Sequence, residues 1–279
     1  MGPPRGGRLE RGAGRTGAIG RPFRCLIPSL NDLRLVELGD LILHEAHDEN
    51  RLASLRARIE FEGEQRNPVI ASSQGDCCLV LDGAHRVRAL EELGCRLVLA
   101  QFVEPPQRAE SWAHLVDGFG LDRLRGVEEI EVTEQQQHGG ARLAEVEFAG
   151  RERISLRSVE EGLLAEVRAL WALQALYPEG VVRRVEPNGP IGLAEGEAVI
   201  RYRAFAPEEL VEIVRSGAVL PAGITRFRVR ERVLGVRYPL EKMREGDAPT
   251  RNAELRAFVE RLWEENRIRY YEEPVVLFE

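Results

Sequence analysis

A chain of 279 residues holds one large domain or two modest ones, and its 43% hydrophobic content is enough for a real core. Lys+Arg 39 against Asp+Glu 46 gives a formal net charge of -7, which counts against nucleic acid as a partner unless one face is sharply basic. Cys25, Cys77, Cys78 and Cys95 show neither zinc-ligand spacing nor the density of a secreted disulfide scaffold, so they read as reduced, mostly buried thiols and the cytoplasm is the expected location. No apolar run approaches the roughly 18 to 20 residues that span a bilayer, and the N-terminus lacks the apolar core of a signal peptide.

Residues 1–24 are rich in Gly and Arg with almost no bulky apolar side chain before Phe23, and are expected to be a disordered extension. Residues 33–38 read as a strand, and residues 40–45 as an extended segment that delivers His44 and Glu45 to its end. Asp48 or Asn50 can cap a helix in which Leu52, Leu55 and Ile59 share a face, and Gly63 stops it. Residues 67–71 and 77–81 look like strands around a turn at 72–76. A helix follows, with Val87, Leu90 and Leu93 on one face and Gly94 as its stop, and residues 96–103 form another strand. The order is mixed α/β, consistent with one compact domain over 25–104.

Pro105-Pro106 marks a boundary, and residues 105–279 read as an α+β domain without internal repeats. Residues 111–116 are expected to begin a helix carrying Trp112; strands are expected at 127–133, 141–148, 153–156, 181–185 and 198–205. A broad apolar face (Leu163, Leu164, Val167, Leu170, Trp171, Leu173) predicts a helix over 160–176, ended by Tyr177-Pro178, and Pro207 opens another that Gly217 closes. Residues 221–229 are a turn entering a strand, with 233–238 as its hairpin partner. Asn252 caps a last helix through Glu265, and 268–271 with 275–278 close a sheet.

The sharpest local signal is Asp82-Gly83-Ala84-His85-Arg86, between the strand at 77–81 and the helix. A strand-to-helix turn aims free N–H groups and the positive end of the helix dipole at one spot, with His85 and Arg86 alongside, which suits an anion such as phosphate. The same residues read equally well as an ordinary helix start, with Asp82 capping, His85 on the surface and Arg86 in a salt bridge. Asp82 is alternatively one carboxylate ligand of Mg²⁺. Arg226, Arg228, Arg230 and Arg232 alternate along the downstream segment and read as a solvated sheet face, although they are also the best argument for a nucleic-acid contact.

The strand, the Asp-Gly-x-His-Arg turn and the Arg-Ala-Leu helix resemble the phosphate-binding signature of the ParB/sulfiredoxin-like superfamily. Ala84 stands where a sulfiredoxin has its nucleophilic cysteine, and the strand-rich, acidic region that follows does not resemble the helix-turn-helix segment of a ParB partition protein. Four runs extend the likeness: Leu43-His44-Glu45, the Asp82–Arg86 turn, Ser111-Trp112-Ala113-His114, and Pro221-Ala222-Gly223-Ile224-Thr225-Arg226-Phe227. In order and spacing they resemble the free L-serine kinases, including homologues attached to siderophore-precursor pathways. The similarity runs from about Leu35 to the C-terminus.

That resemblance implies a ParB/sulfiredoxin-like N-terminal domain joined to a C-terminal α+β substrate domain. It implies phosphorylation of free L-serine to O-phospho-L-serine from ATP or ADP with Mg²⁺, for cysteine or siderophore-precursor synthesis. Glu45 matches the catalytic glutamate, a reasonable acceptor for the serine hydroxyl proton. Asp82 would serve catalysis and hold the metal, while Asp82, Gly83, Ala84, His85 and Arg86 bind nucleotide phosphates. His44, Trp112, Thr225 and Arg226 would form the substrate pocket, with the Arg226 fork on the serine carboxylate. The rival reading is a nucleotide-responsive, ParB-like DNA-binding transcriptional regulator. Membrane is not an expected partner, and the oligomeric state is left open.

Overall fold

The structure is a computed structural model that describes residues 27–104, 110–133, 142–150, 153–178, 182–189 and 191–273. The N-terminal extension and the expected strand at 275–278 lie outside the described residues.

A five-stranded mixed sheet contains β1 (Leu33–Glu37), β2 (Leu41–Ile42), β4 (Val69–Gln74), β5 (Cys77–Asp82) and β6 (Leu97–Phe102), in the order β1-β6-β4-β5-β2. The short α1 (Pro28–Asn31) precedes it; α2 (Glu49–Glu62) and α3 (Ala84–Glu92) are its principal helices, and β3 (Glu64–Gln65) follows α2. Asp48 caps α2 by accepting from the Arg51 N–H at 2.7 Å, and Gly63 ends it at φ 68°. A side-chain cap of this kind contributes about 1 kcal/mol.

The run Leu79-Val80-Leu81 is continuously apolar because β5 is covered on both faces. Val80 packs with Leu35, Val87, Leu90 and Leu99, whereas Leu79 and Leu81 point the other way into a second core with Leu143, Leu170, Ile200 and Leu210. That second core lies under an antiparallel sheet of six strands in the order β12-β8-β13-β10-β11-β9. Its strands are β8 (Ala113–Asp117), β9 (Ile130–Thr133), β10 (Arg142–Phe148), β11 (Ile154–Ser158), β12 (Arg183–Val185) and β13 (Glu197–Tyr202). Helices α4 (Leu163–Ala175) and α5 (Pro207–Arg215) complete it.

Five local expectations are corrected. Residues 111–116 are not helical: β7 (Glu110–Ser111) and β8 run through them, with Ala113, His114, Leu115 and Val116 all buried, because this short apolar run is a central strand covered on both sides. The segment after β14 (Thr225–Arg226) forms no hairpin with 233–238; β14 pairs with β7, and β15 (Tyr238–Pro239) pairs with β3. The final helices are α6 (Glu241–Arg244) and α7 (Ala248–Glu264), and α7 is capped by Asp247, not Asn252. Asn252 lies inside α7, where it accepts from the Leu35 N–H at 2.8 Å and donates to the Leu35 carbonyl at 2.7 Å, covering the open edge of β1 as a neighbouring strand would. Residues 268–271 form no strand. Cys77 and Cys78 lie on β5 half-buried rather than buried, and Cys95 is buried.

The C-terminal part returns to the first sheet: Tyr238, Leu240, Met243, Leu255 and Val259 are buried with β1 and β6. Residues 227–237 therefore bridge the two cores, close to the Asp82–Arg86 turn. No described helix is long and apolar enough to cross a membrane.

Candidate functional site

The turn after β5 begins at Gly83, which caps α3 with no side chain. Its φ of 105° disfavours other residues, and a Cβ there would stand 2.9 Å from Val69 Cγ1. The first N–H groups of α3 are consequently left to face a cleft of about 810 Å³. Five arginines, 51, 58, 86, 184 and 232, line this cleft against the single carboxylate of Asp82, while Leu55, Pro68, Val233 and Leu234 supply apolar wall. The Arg51 and Arg58 guanidiniums make no hydrogen bond or ion pair among the described residues.

His85 Nε2 accepts the Asp48 N–H at 3.0 Å. Burial, reinforced by Arg51, lowers its pKa below the ordinary value. A neutral ring that accepts at Nε2 carries its proton on Nδ1. Arg86 is anchored differently from a free phosphate ligand: its Nη1 donates to the carbonyls of Asn67, at 3.2 Å, and Pro68. Burial alone would raise Asp82, but Arg86 and Arg232 outweigh it and hold the carboxyl below its usual range. Both contacts fall on Oδ2, and no described residue bonds to Oδ1.

A second cleft, of about 470 Å³, opens on the other side of the turn. Asp82, Gly83, Ala84, His85, Arg184 and Arg232 border both. In the second cleft Glu45 is gripped by the loop at 221–225. Its Oε2 accepts the Gly223 N–H at 2.9 Å, and its Oε1 accepts the Thr225 N–H at 2.5 Å and hydroxyl at 2.6 Å. Because the single Thr225 hydroxyl proton goes to the carboxylate, His44 Nε2, 2.8 Å away, must be the donor to Thr225 Oγ1. His44 is buried, and desolvation lowers its pKa, consistent with a neutral Nε2–H ring.

The loop is pinned from three sides. Leu220 exchanges backbone hydrogen bonds with the 44–46 segment, both at 2.8 Å, and the Trp112 N–H reaches the Ile224 carbonyl at 2.8 Å. Buried His114 donates from Nε2 to the Gly223 carbonyl at 2.8 Å, backed at Nδ1 by Tyr202 and Tyr177. Burial pushes His114 down to about 4. The Trp112 ring lines the pocket under the Arg226 guanidinium, 4.3 Å from its centroid. Arg226 forms a two-armed pair with Glu186, one arm at 2.6 Å, so its fork is already engaged by a carboxylate.

All ten residues expected at a site thus border one or both clefts. Sequence reasoning passed over three contributors. Arg184 on β12 lines both clefts, and its guanidinium makes no ion pair among the described residues; Gly223 turns at φ 80° beside it, and His114 holds that turn. His114 stood inside a quoted run, whereas Arg184 follows another arginine on a strand and carries no local signal. The arginines at 228, 230 and 232 are solvent-exposed as expected but form no sheet face, because β14 ends at Arg226; Arg226, Arg228 and Arg232 pair with Glu186, Glu110 and Asp82. Among the described residues no group of three or more His, Cys, Asp and Glu is placed to hold a metal.

Fold and clefts together define an α/β protein with two binding compartments meeting at a helix N-terminus, one cationic and one built around a carboxylate. No family model matches the chain. It is 24% identical over 220 residues to the ATP-dependent L-serine kinase SbnI of Staphylococcus aureus, covering 77% of this chain and 85% of that protein. It shares its fold with a C-terminally truncated SbnI from the same organism at TM-score 0.72 and 22% identity, over 84% of this chain and 98% of that one. A free serine kinase in complex with AMP superposes at TM-score 0.58 and 19% identity, over 76% and 93% of the two chains.

Proposed function

We propose that this protein is a kinase that transfers a phosphoryl group from ATP or ADP to the hydroxyl of free L-serine, giving O-phospho-L-serine. The observation that carries this reading is the shared wall: a cationic cleft and a carboxylate pocket adjoin across the Asp82–His85 turn, so a phosphate end on one side faces an acceptor hydroxyl on the other. The likeness to SbnI and to the free serine kinase structures supports the substrate pair.

In the donor cleft the nucleotide phosphates meet the α3 N-terminus, the His85 Nδ1–H and the guanidiniums of Arg51 and Arg58. The apolar side chains at 55, 68, 233 and 234 wall the base. Asp82 fits Mg²⁺ through its unbonded Oδ1, since this ion takes one or two carboxylates and completes its shell with phosphate and water. When bound there, the ion would neutralise charge on the phosphate oxygens.

In the acceptor pocket Glu45 acts as general base. A carboxylate has about four acceptor positions; three are filled, and the remaining one on Oε2 takes the serine proton as its oxygen attacks phosphorus. The oxygen–phosphorus bond forms, the bond to the nucleotide's bridging oxygen breaks, and the shorter nucleotide leaves. Trp112 walls the amino acid, His44 and Thr225 hold Glu45 in place, and Arg226 exchanges exposed Glu186 for the serine carboxylate. Positioning and electrostatics supply most of such a transfer.

The test is a screen of purified protein with Mg²⁺, ATP or ADP, and individual free amino acids, read by mass spectrometry. O-Phosphoserine is the expected product. If no hydroxyl amino acid is phosphorylated from either nucleotide, the proposal fails.

A further inference from the structure

Arg184 is where the two clefts meet. It sits on edge strand β12, paired in register with His114 of β8, and it borders both compartments. Its neighbour Arg183 projects to the other face of the strand and pairs with Glu197. Arg184 has no such partner among the described residues, although the other arginines bordering the acceptor pocket, Arg226, Arg228 and Arg232, each sit against a carboxylate.

The close approach of Gly223 fixes where this guanidinium lies. A Cβ at Gly223 would stand 2.6 Å from Arg184 Nε and 2.6 Å from Nη2, so the side chain is laid flat against the backbone whose N–H holds Glu45. Burial and Arg51 lower its pKa from the ordinary guanidinium value, while Glu45 and Asp82 favour its charged form. Its planar fork thus lies against the Gly223 backbone that holds Glu45, borders both clefts and has no carboxylate partner among the described residues.

We propose that Arg184 is a catalytic residue of the serine kinase reaction described above, contacting the equatorial oxygens of the phosphoryl group as it passes from nucleotide to serine. This rests on the kinase reading. As the serine oxygen–phosphorus bond forms and the bond to the leaving oxygen breaks, negative charge spreads over those oxygens, and a fixed guanidinium stabilises it more than it stabilises the ground state. Arg226, held by Glu186 over Trp112, is left to the acceptor carboxylate.

The experiment compares wild type, Arg184→Met, Arg184→Lys and the control Arg183→Met, measuring kcat, KM for serine and nucleotide Kd by calorimetry. Arg184→Met is expected to lose about 10²- to 10³-fold in kcat, with nucleotide Kd and serine KM within about threefold. Arg184→Lys is expected to recover only part, and added guanidinium to restore part of the Met variant's rate. Arg183→Met is expected to match wild type. Unchanged kcat in Arg184→Met overturns the proposal, as does a rise in serine KM alone, which would make Arg184 the carboxylate holder. Wild type without phosphoserine formation overturns the kinase reading itself, an outcome distinct from these.

Discussion

The two clefts are built by opposite means. The phosphate turn of the cationic cleft is local: strand β5, Gly83 and helix α3 form one continuous stretch of chain, and Arg51, Arg58 and Arg184, brought beside it from other elements, have no ion-pair partner among the described residues. The acceptor pocket is assembled from distant segments, with Glu45 bonded to groups 178 and 180 residues away and nearly all of its polar atoms already satisfied. A site for a polyphosphate can hold charge in reserve, because the ligand brings the counter-charge. A base must instead be held still, since a misplaced carboxylate gains nothing from its charge.

That contrast can be strained from either side. The largest effect is expected from the donor side: Arg51→Ala with Arg58→Ala removes two charge-assisted contacts, each worth about 1.5 to 3 kcal/mol. Nucleotide affinity, measured by calorimetry, should then fall by roughly 10²- to 10⁴-fold, with serine KM little changed. An equal loss in serine binding would break the division into compartments.

On the acceptor side, His114 should make the protein sensitive to acid. Its pKa is lowered from 6.5 to about 4 in the fold, so the unfolded chain binds the extra proton between those values. Stability contributed by the neutral ring is complete above about pH 6.5 and is lost as pH falls toward 4, by up to roughly 3 kcal/mol. Thermal melts across this window should show a slope that His114→Gln flattens.

Gly83→Ala should cost about 1 to 3 kcal/mol from its positive φ and the Val69 contact. It should also weaken nucleotide binding more than serine binding. The smallest change is expected for Thr225→Ser, which keeps the hydroxyl between His44 and Glu45 and loses one methyl group, about 0.8 kcal/mol. Stability should follow that loss while kcat stays near wild type, whereas Thr225→Val, which leaves His44 Nε2 without its partner and Glu45 with one hydrogen bond fewer, should lower kcat.

The same contrast explains what was legible in the sequence. The Asp82–Arg86 turn, the α2 cap at Asp48 and the stops at Gly63 and Gly94 depend on neighbours within a few residues, and they are found where patterning places them. The six-residue apolar run at 111–116 has no decisive period and reads as helix; only its burial between strands makes it β. Asn252 reads as a cap by residue type and instead covers an edge strand 217 residues away. Glu45 had no local signal beyond a strand end, and resemblance alone drew attention to it and to Thr225. Arg184 had neither pattern nor motif, and its place is visible only where the two clefts are seen to share a wall.

The most direct test of the account is phosphorus NMR on the protein with Mg²⁺, nucleotide and L-serine, comparing wild type with Glu45→Gln, alongside calorimetric nucleotide binding. The account predicts an O-phosphoserine resonance that grows with wild type and is reduced at least 10²-fold in rate for the Gln variant, with nucleotide affinity equal within about threefold. Normal phosphoserine formation by Glu45→Gln, or a variant that fails only because it no longer binds nucleotide, would contradict it.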